Sequence, residues 1–431
     1  MKIWSRFAWG FGLLIVCTVA VVSALNVRDE VDVKATAAFA PSDNLIERGA
    51  YLARAGNCMA CHTARGGANY AGGLGIATPF GTVYTSNLTP DFNTGIGSWS
   101  SAHFWRAMHN GRSKSGRLLY PAFPYTSYTQ ITRSDSDAIF AFLGSQPAIK
   151  QSNQAHALGF PFNTQAALGV WRALYFQPGV YQADTSRNAE WNQGAYLVNG
   201  LGHCSACHSP RDALGGTSDR LALAGGLIPM QNWYAPSLTS PREAGLGQWD
   251  VKDIVTLLRT GVAPGASVSG PMAEVVLGST QYLGETDLKA MAHYLKALPA
   301  PASTPEPAPA AKPRLAGTQF NTAAAAKLYD QHCAQCHGAK GEGVSGAYPP
   351  LAGNRAVTMP STENLVQIVL GGGFAPATAG NPQPFGMPPF VLVLDDQQVA
   401  AVISHIRTSW GNEADAIMPL EVNRIRARQT R

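Results

Sequence analysis

An all-α fold of three tandem domains behind an N-terminal transmembrane helix is what this 431-residue sequence predicts. Three observations carry the prediction. The chain matches itself: "RGAYLARAGNCMACHTARGG" reappears as "QGAYLVNGLGHCSACHSPRDALGG", and a shorter third copy reads "AAKLYDQHCAQCHGAKGEG". Each copy runs through a turn-rich stretch and closes on a segment with apolar residues at helical spacing, such as Val399, Val402, Ile403 and Ile406. Ahead of all three, Phe7 to Leu25 is a run of 19 residues without a charge.

Taken in order, residues 1–30 hold the apolar run, long enough to cross a bilayer and preceded by Lys2 and Arg6, so the basic end stays cytoplasmic and the remainder is exported. We expect a retained anchor; the alternative is a signal segment cleaved at Val22-Ser23-Ala24. Val16 is bulkier than the residue that lipid-modified sites prefer, which argues against acylation of Cys17. Residues 40–150 form the first repeat, which closes on "DSDAIFAFL". The connection 151–185 carries a helix-like centre between prolines, expected to pack across the first two domains. The second repeat, 186–298, closes on "TDLKAMAHYL". A proline-alanine linker at 299–316 sets apart the third repeat, 317–412. The basic tail 413–431, with Arg424, Arg426, Arg428 and Arg431, reads as a solvated end that could also dock an acidic partner or lipid headgroups.

Composition is globular. Only 14% of residues are charged and the net charge is +5, too dilute for nucleic-acid binding, and no basic-aromatic groove is interleaved in the chain. Six of the seven cysteines fall in pairs, each followed at once by a histidine, which leaves nothing for a disulfide framework.

"CMACH", "CSACH" and "CAQCH" read as c-type haem attachment sites. Two thiols at this spacing reach the two vinyl groups of one porphyrin, and the adjacent histidine meets the iron. Three covalently bound haem c groups are therefore expected, attached through Cys58, Cys61, Cys204, Cys207, Cys333 and Cys336 and bound axially by His62, His208 and His337. Structural zinc would need two such pairs per metal and would leave one over. A thioredoxin-like pair should follow a strand of a βαβ unit, and none does. The histidines outside the motifs, His103, His109, His156, His203, His293, His332 and His405, default to solvent or core roles.

Histidine alone leaves iron open on one side, and a thioether on the other raises its potential. Met387 in "PFGMPPF" and Met272 in "SGPMAEVV" are the candidate sixth ligands in the third and second repeats. The register that pairs Trp99 with Trp249 and Pro121 with Pro271 places Ala122 at the slot of Met272, with Phe123 beside it. Neither binds iron. The same register assigns Met108 to the core and His109 to solvent. The first haem then uses another histidine, or keeps an open or water-filled position. On the opposite side, an axial histidine donates its second ring proton to a fixed acceptor. The carbonyl around Pro350 is the candidate in the third repeat, with equivalents near Ser86 and Pro236.

"GEGVSG", Gly341 to Gly346, matches the dinucleotide fingerprint in letters only, since it follows a haem histidine rather than a strand. Paired carboxylates for acid-base catalysis are absent from the haem segments.

With "LYPAFPY", "GLGQW", "NWYAPSLT", "PPLAGN" and "SWGN" beside the three motifs, the exported chain resembles the triheme cytochrome c subunits of membrane-bound periplasmic dehydrogenases. The resemblance implies three tandem cytochrome c-like haem domains held at the periplasmic side of the inner membrane by the N-terminal anchor. It also implies a role as an electron-transfer subunit with no substrate-oxidising site of its own, which passes electrons from a catalytic dehydrogenase subunit to ubiquinone. Alcohol-oxidising members of that group carry methionine where this chain has Phe123. The "LYPAFPY" form is more similar to the cytochromes of aldehyde dehydrogenases with molybdopterin and iron-sulfur subunits, and that partner is the expectation. Alternatives are a quinoprotein alcohol or flavoprotein sugar or gluconate dehydrogenase, an electron shuttle or oxidase subunit, and a multihaem peroxidase that uses the first haem's vacant side.

Overall fold

The computed structural model describes residues 2–30, 33, 39–300 and 322–429. The proline-alanine linker lies almost wholly outside the described residues, as does Arg431. Two compact units emerge: Met1–Asp184 with Tyr196–His203 and Arg211–Ser218, and Thr185–Ala195 with Cys204–Pro210 and Asp219–Arg431.

In the first unit, helix Asp43–Ala55 opens the repeat and Arg133–Gly144 closes it. Ser42 and Thr132 cap them, each side chain accepting from a backbone N–H in the first turn. The two helices cross at Gly49, where an added Cβ would stand 1.9 Å from the Ala138 carbonyl oxygen. Only glycine permits that approach. The repeated "GAYL" text is thereby explained, because Gly194 meets the Ala290 carbonyl of the second repeat in the same way, at 2.0 Å from an added Cβ. A further helix, Ser101–Asn110, lies inside the segment expected to be irregular. A Ser100–His103 capping box starts it, and Gly111 ends it at φ 58°.

The fold is mainly helical rather than all-α. Gly75–Thr78 pairs antiparallel with Gly81–Tyr84, and Ala157–Leu158 adds a third strand. Three two-residue hairpins follow in the second unit, the last joining Gly373–Phe374 to Gly386–Met387. These pairings satisfy backbone groups in loops too tightly turned for helix.

The second unit contains the second and third cysteine motifs. Helix Glu285–Lys296 closes the second repeat with Leu288, Met291, Ala292 and Leu295 buried. In the third repeat, Thr322–His332 packs on Asp396–Thr408, and Val399, Val402, Ile403 and Ile406 are buried as their spacing predicts. The linker text suggests a separately tethered domain, yet the third repeat is hydrogen bonded to the second: the Asn364 side chain donates to Tyr234 O at 2.7 Å and accepts from Tyr234 N at 2.8 Å, and Arg355 donates to Pro241 O at 2.8 Å.

The basic tail is not simply a solvated end. It forms helix Pro419–Gln429, with Ile417, Val422 and Ile425 buried in the third core. Arg426 holds it down through Asp396 at 2.7 Å and the carbonyls of Val391 and Leu394. Its charges masked an apolar stripe.

Candidate haem-binding loops

Each cysteine motif sits on a single helical turn: Cys58–Cys61, Ser205–His208 and Ala334–His337. Asn57 and His203, immediately ahead of the first two motifs, adopt positive φ of 48° and 35°, which turns the chain from opening helix into loop. None of the six cysteines is joined in a disulfide. Burial, then the neighbouring thiol, pushes Cys58 and Cys204 up to about 12 and Cys333 up to about 11. Among the described residues, no group of three or more His, Cys, Asp or Glu is arranged to hold a metal ion. A thiol pair beside an imidazole fits thioether attachment of a porphyrin, and its three donors fall short of the four a structural zinc site takes.

The histidines are fixed by one recurring arrangement. His62 Nδ1 donates to Ser86 O at 2.7 Å, His208 Nδ1 to Pro236 O at 2.7 Å, and His337 Nδ1 to Pro349 O at 3.0 Å. The third acceptor is thus one residue before the Pro350 expected. A carbonyl only accepts, so Nδ1 carries the proton and Nε2 presents a lone pair. Burial lowers the proton affinity of all three rings, which keeps them neutral.

A second recurring feature escaped the sequence reading. Gly72, Gly225 and Gly343 donate their N–H to the carbonyls of His62, His208 and His337 at 2.8, 2.7 and 2.7 Å. All three have positive φ, of 73°, 84° and 67°. An added Cβ would stand 2.5 Å from Ser86 C, 2.7 Å from Ser237 N and 2.6 Å from Tyr348 O. Each glycine therefore grips the histidine backbone while lying against the segment that receives the histidine ring. These glycines stand at different distances from their motifs, so no fixed spacing announces them.

Met387 is half-buried, paired with Gly373 across the last hairpin and packed on the third core. Met272 lies in the first turn of helix Pro271–Gly278, also half-buried. In the first repeat, the Phe123 ring lies tilted against Tyr128 at 5.3 Å, and the Tyr128 hydroxyl donates to Gly56 O at 3.2 Å next to the first motif. Met108 is buried, as expected. His109 is buried too, contrary to expectation: it stacks on Trp105 at 4.6 Å and its Nδ1 donates to Thr129 O at 2.8 Å. Its counterpart Arg259 is half-exposed, so the repeat register does not carry burial at this position. His103 serves a helix cap, and His156 accepts from Tyr84 N.

The third loop is closed by side chains that explain two of the quoted motifs. Trp410 of "SWGN" lies over Gly341, where an added Cβ would come within 2.5 Å of the indole. Asn412 donates to Leu351 O and Ile406 O and accepts from Gly353 N, tying "PPLAGN" to the closing helix. Gly341, Gly343 and Gly346 all have positive φ in this irregular turn, with no strand leading into it as a dinucleotide site requires.

A family model for cytochrome c matches residues 46–147 and 322–410, which hold the first and third motifs. The cytochrome c subunit of a quinone alcohol dehydrogenase from Gluconacetobacter polyoxogenes is 40% identical over 86% of this chain and 81% of its own length. The gluconate 2-dehydrogenase cytochrome c subunit of Pantoea cypripedii is 38% identical over 87% and 88%. The fructose dehydrogenase cytochrome subunit of Gluconobacter japonicus is 33% identical over 95% and 88%. With its three loops built on one histidine-carbonyl plan and these relatives along nearly its whole length, the chain belongs to the family of cytochrome c subunits of membrane-bound dehydrogenases.

Proposed function

We propose that this chain is a triheme electron carrier, held at the periplasmic face of the inner membrane by helix Lys2–Val27, that takes electrons from a catalytic dehydrogenase subunit and delivers them to ubiquinone. The observation that carries the reading is the threefold repetition of one site: a cysteine pair, a histidine whose Nδ1 donates to a backbone carbonyl, and a glycine that locks both. Cys58 and Cys61, Cys204 and Cys207, and Cys333 and Cys336 would hold the porphyrins. His62, His208 and His337 would present Nε2, and Met272 and Met387 would supply sulfur in the second and third sites. Bound haem c supplies reversible one-electron chemistry at iron. The chain's own part is to fix the imidazoles before binding and to raise their basicity through the carbonyl acceptors.

The relatives are named as cytochrome subunits of alcohol, gluconate and fructose dehydrogenases. They favour a quinoprotein alcohol or flavoprotein sugar or gluconate partner over the aldehyde-oxidising molybdopterin enzyme that "LYPAFPY" suggests. Affinity purification of the tagged chain from native membranes, with the co-purifying subunits and their cofactors identified, tests this. A large dehydrogenase chain with a quinone or flavin cofactor is the expected result. Recovery without any dehydrogenase would remove the reading.

One observation favours a second reading for the first site. Ala122 and Phe123 occupy the slot where Met272 stands in the second repeat, and neither is a ligand. A multihaem peroxidase would use that vacancy. Carbon monoxide binding at one haem with turnover of peroxide by the isolated chain supports it; inertness to peroxide leaves the electron carrier.

A further inference from the structure

Helix Gln165–Tyr175, "QAALGVWRALY", inverts the usual pattern of a surface helix. Its one charged residue, Arg172, points inward and is 3% exposed. Its outward stripe is Ala166, Val170 and Leu174, the last two 49% and 61% exposed. Phe160, 83% exposed, precedes it. Trp171 and Tyr175 keep their polar tips bonded, to Leu214 O at 3.0 Å and to Asp212 at 2.7 Å, while their rings remain partly open.

The helix is also clamped to the end of the apolar helix Lys2–Val27. Asn26 Nδ2 donates to Gly169 O at 2.8 Å, and Asn26 Oδ1 accepts from Arg172 Nε at 2.9 Å. Arg112 donates to Asn26 O at 3.0 Å, and Arg28 to Phe176 O at 3.1 Å. The two helices pack closely at Gly169, where an added Cβ would stand in ordinary van der Waals contact with Val22 and Asn26, at 3.9 and 3.7 Å. The span Trp9–Val27 covers 19 residues, about 28 Å of helix, close to the hydrocarbon thickness of a bilayer. Its last turn therefore emerges at the depth where helix Gln165–Tyr175 is fastened.

We propose that helix Gln165–Tyr175 is an interfacial helix that lies in the outer boundary of the bilayer, with Val170, Leu174 and Phe160 among the acyl chains and Trp171 and Tyr175 at the headgroups. The inference rests on the reading of Lys2–Val27 as a retained anchor. Lipid is favoured as the occupant because the stripe is continuous with the apolar span and carries no outward charge for a protein partner to pair. The consequence is orientation: a single anchor allows rotation about its axis, whereas anchor and interfacial helix together hold the first repeat in one attitude to the membrane.

The test uses full-length, haem-loaded protein in vesicles of phosphatidylethanolamine and phosphatidylglycerol. Nitroxide labels are placed by Leu174→Cys, Val16→Cys or Leu392→Cys in a Cys17→Ser background, and accessibility to oxygen and to a water-soluble nickel chelate is read by power saturation. Leu392 is 96% exposed and serves as the aqueous reference. The expected result is preferential oxygen access at Val16 and Leu174 and preferential nickel access at Leu392. Nickel preference at Leu174 with oxygen preference at Val16 would overturn the inference and leave the anchor standing. Nickel preference at Val16, or an intact mass that begins after Ala24, would remove the anchor and the inference with it. Closure of Leu174 to both reagents in the purified dehydrogenase complex would assign the stripe to a protein partner and overturn the inference.

Discussion

Replacing Gly72 by alanine strikes the acceptor of the His62 ring directly. The added Cβ would stand 2.5 Å from Ser86 C and 2.6 Å from Ser86 O, the oxygen that receives Nδ1–H at 2.7 Å. A left-handed alanine costs about 1–2 kcal/mol. Overlap with backbone that cannot rotate away adds about 1–3 kcal/mol, so a loss of roughly 3 kcal/mol is expected. Gly66 is the matched control: its φ of 70° charges alanine the same conformational cost, but nothing lies within 4 Å of the added atom. The functional difference is electronic. Displacing Ser86 weakens the Nδ1–H bond, makes the imidazole a poorer donor and favours ferrous iron. If about 0.5–1.5 kcal/mol of hydrogen bonding is lost, a one-electron couple moves upward by on the order of 20–60 mV. Potentiometric titration with urea unfolding reads both effects. The reasoning fails if Gly72→Ala and Gly66→Ala match in stability and in all three potentials.

The helix crossing gives a similar contrast, since Gly49→Ala meets the Ala138 backbone while Gly144→Ala meets nothing; urea midpoints should show a loss of about 2 kcal/mol for the first and a gain of about 0.5–1 kcal/mol for the second. Met387→Ala should keep covalent haem stain yet lose the sulfur-to-iron charge-transfer band, gain carbon monoxide binding and lower one potential, within the ~0.8 V span that axial ligands command; Met108→Leu, in the core, should alter none of these. His109 is buried and its proton affinity lowered, chiefly by desolvation. The unfolded chain therefore takes up the proton first as acid is added, so stability is full above the ordinary imidazole value of 6.5 and is lost as pH falls below it. Urea midpoints measured from about pH 8 to about pH 5 should fall less steeply in His109→Gln.

What the sequence announces is what repeats at constant spacing. The Cys-X-X-Cys-His text specifies the one-turn helices, and the text around Gly49 and Gly194 specifies the helix crossings because only glycine admits a backbone at that distance. Helical periodicity places Val399, Val402, Ile403 and Ile406 in the core. The acceptor carbonyls were legible to within one residue, since a proximal histidine needs one. Gly72, Gly225 and Gly343 were not, because loops of different length deliver them to the same place. His109 shows the limit of repeat register: a polar residue is buried where Trp105 and Thr129 O offer stacking and a hydrogen bond. The C-terminal helix was hidden by its arginines, although Val422 and Ile425 stand three apart, on the face that reaches the core.

The central claim is that three porphyrins are joined to this chain by thioether bonds. Intact mass of the denatured, purified protein measures it most directly. The account predicts the polypeptide mass plus three haems, falling by one haem when Cys204 and Cys207 are both replaced by alanine. A mass of the bare chain, or of the chain with fewer than three haems, would contradict it.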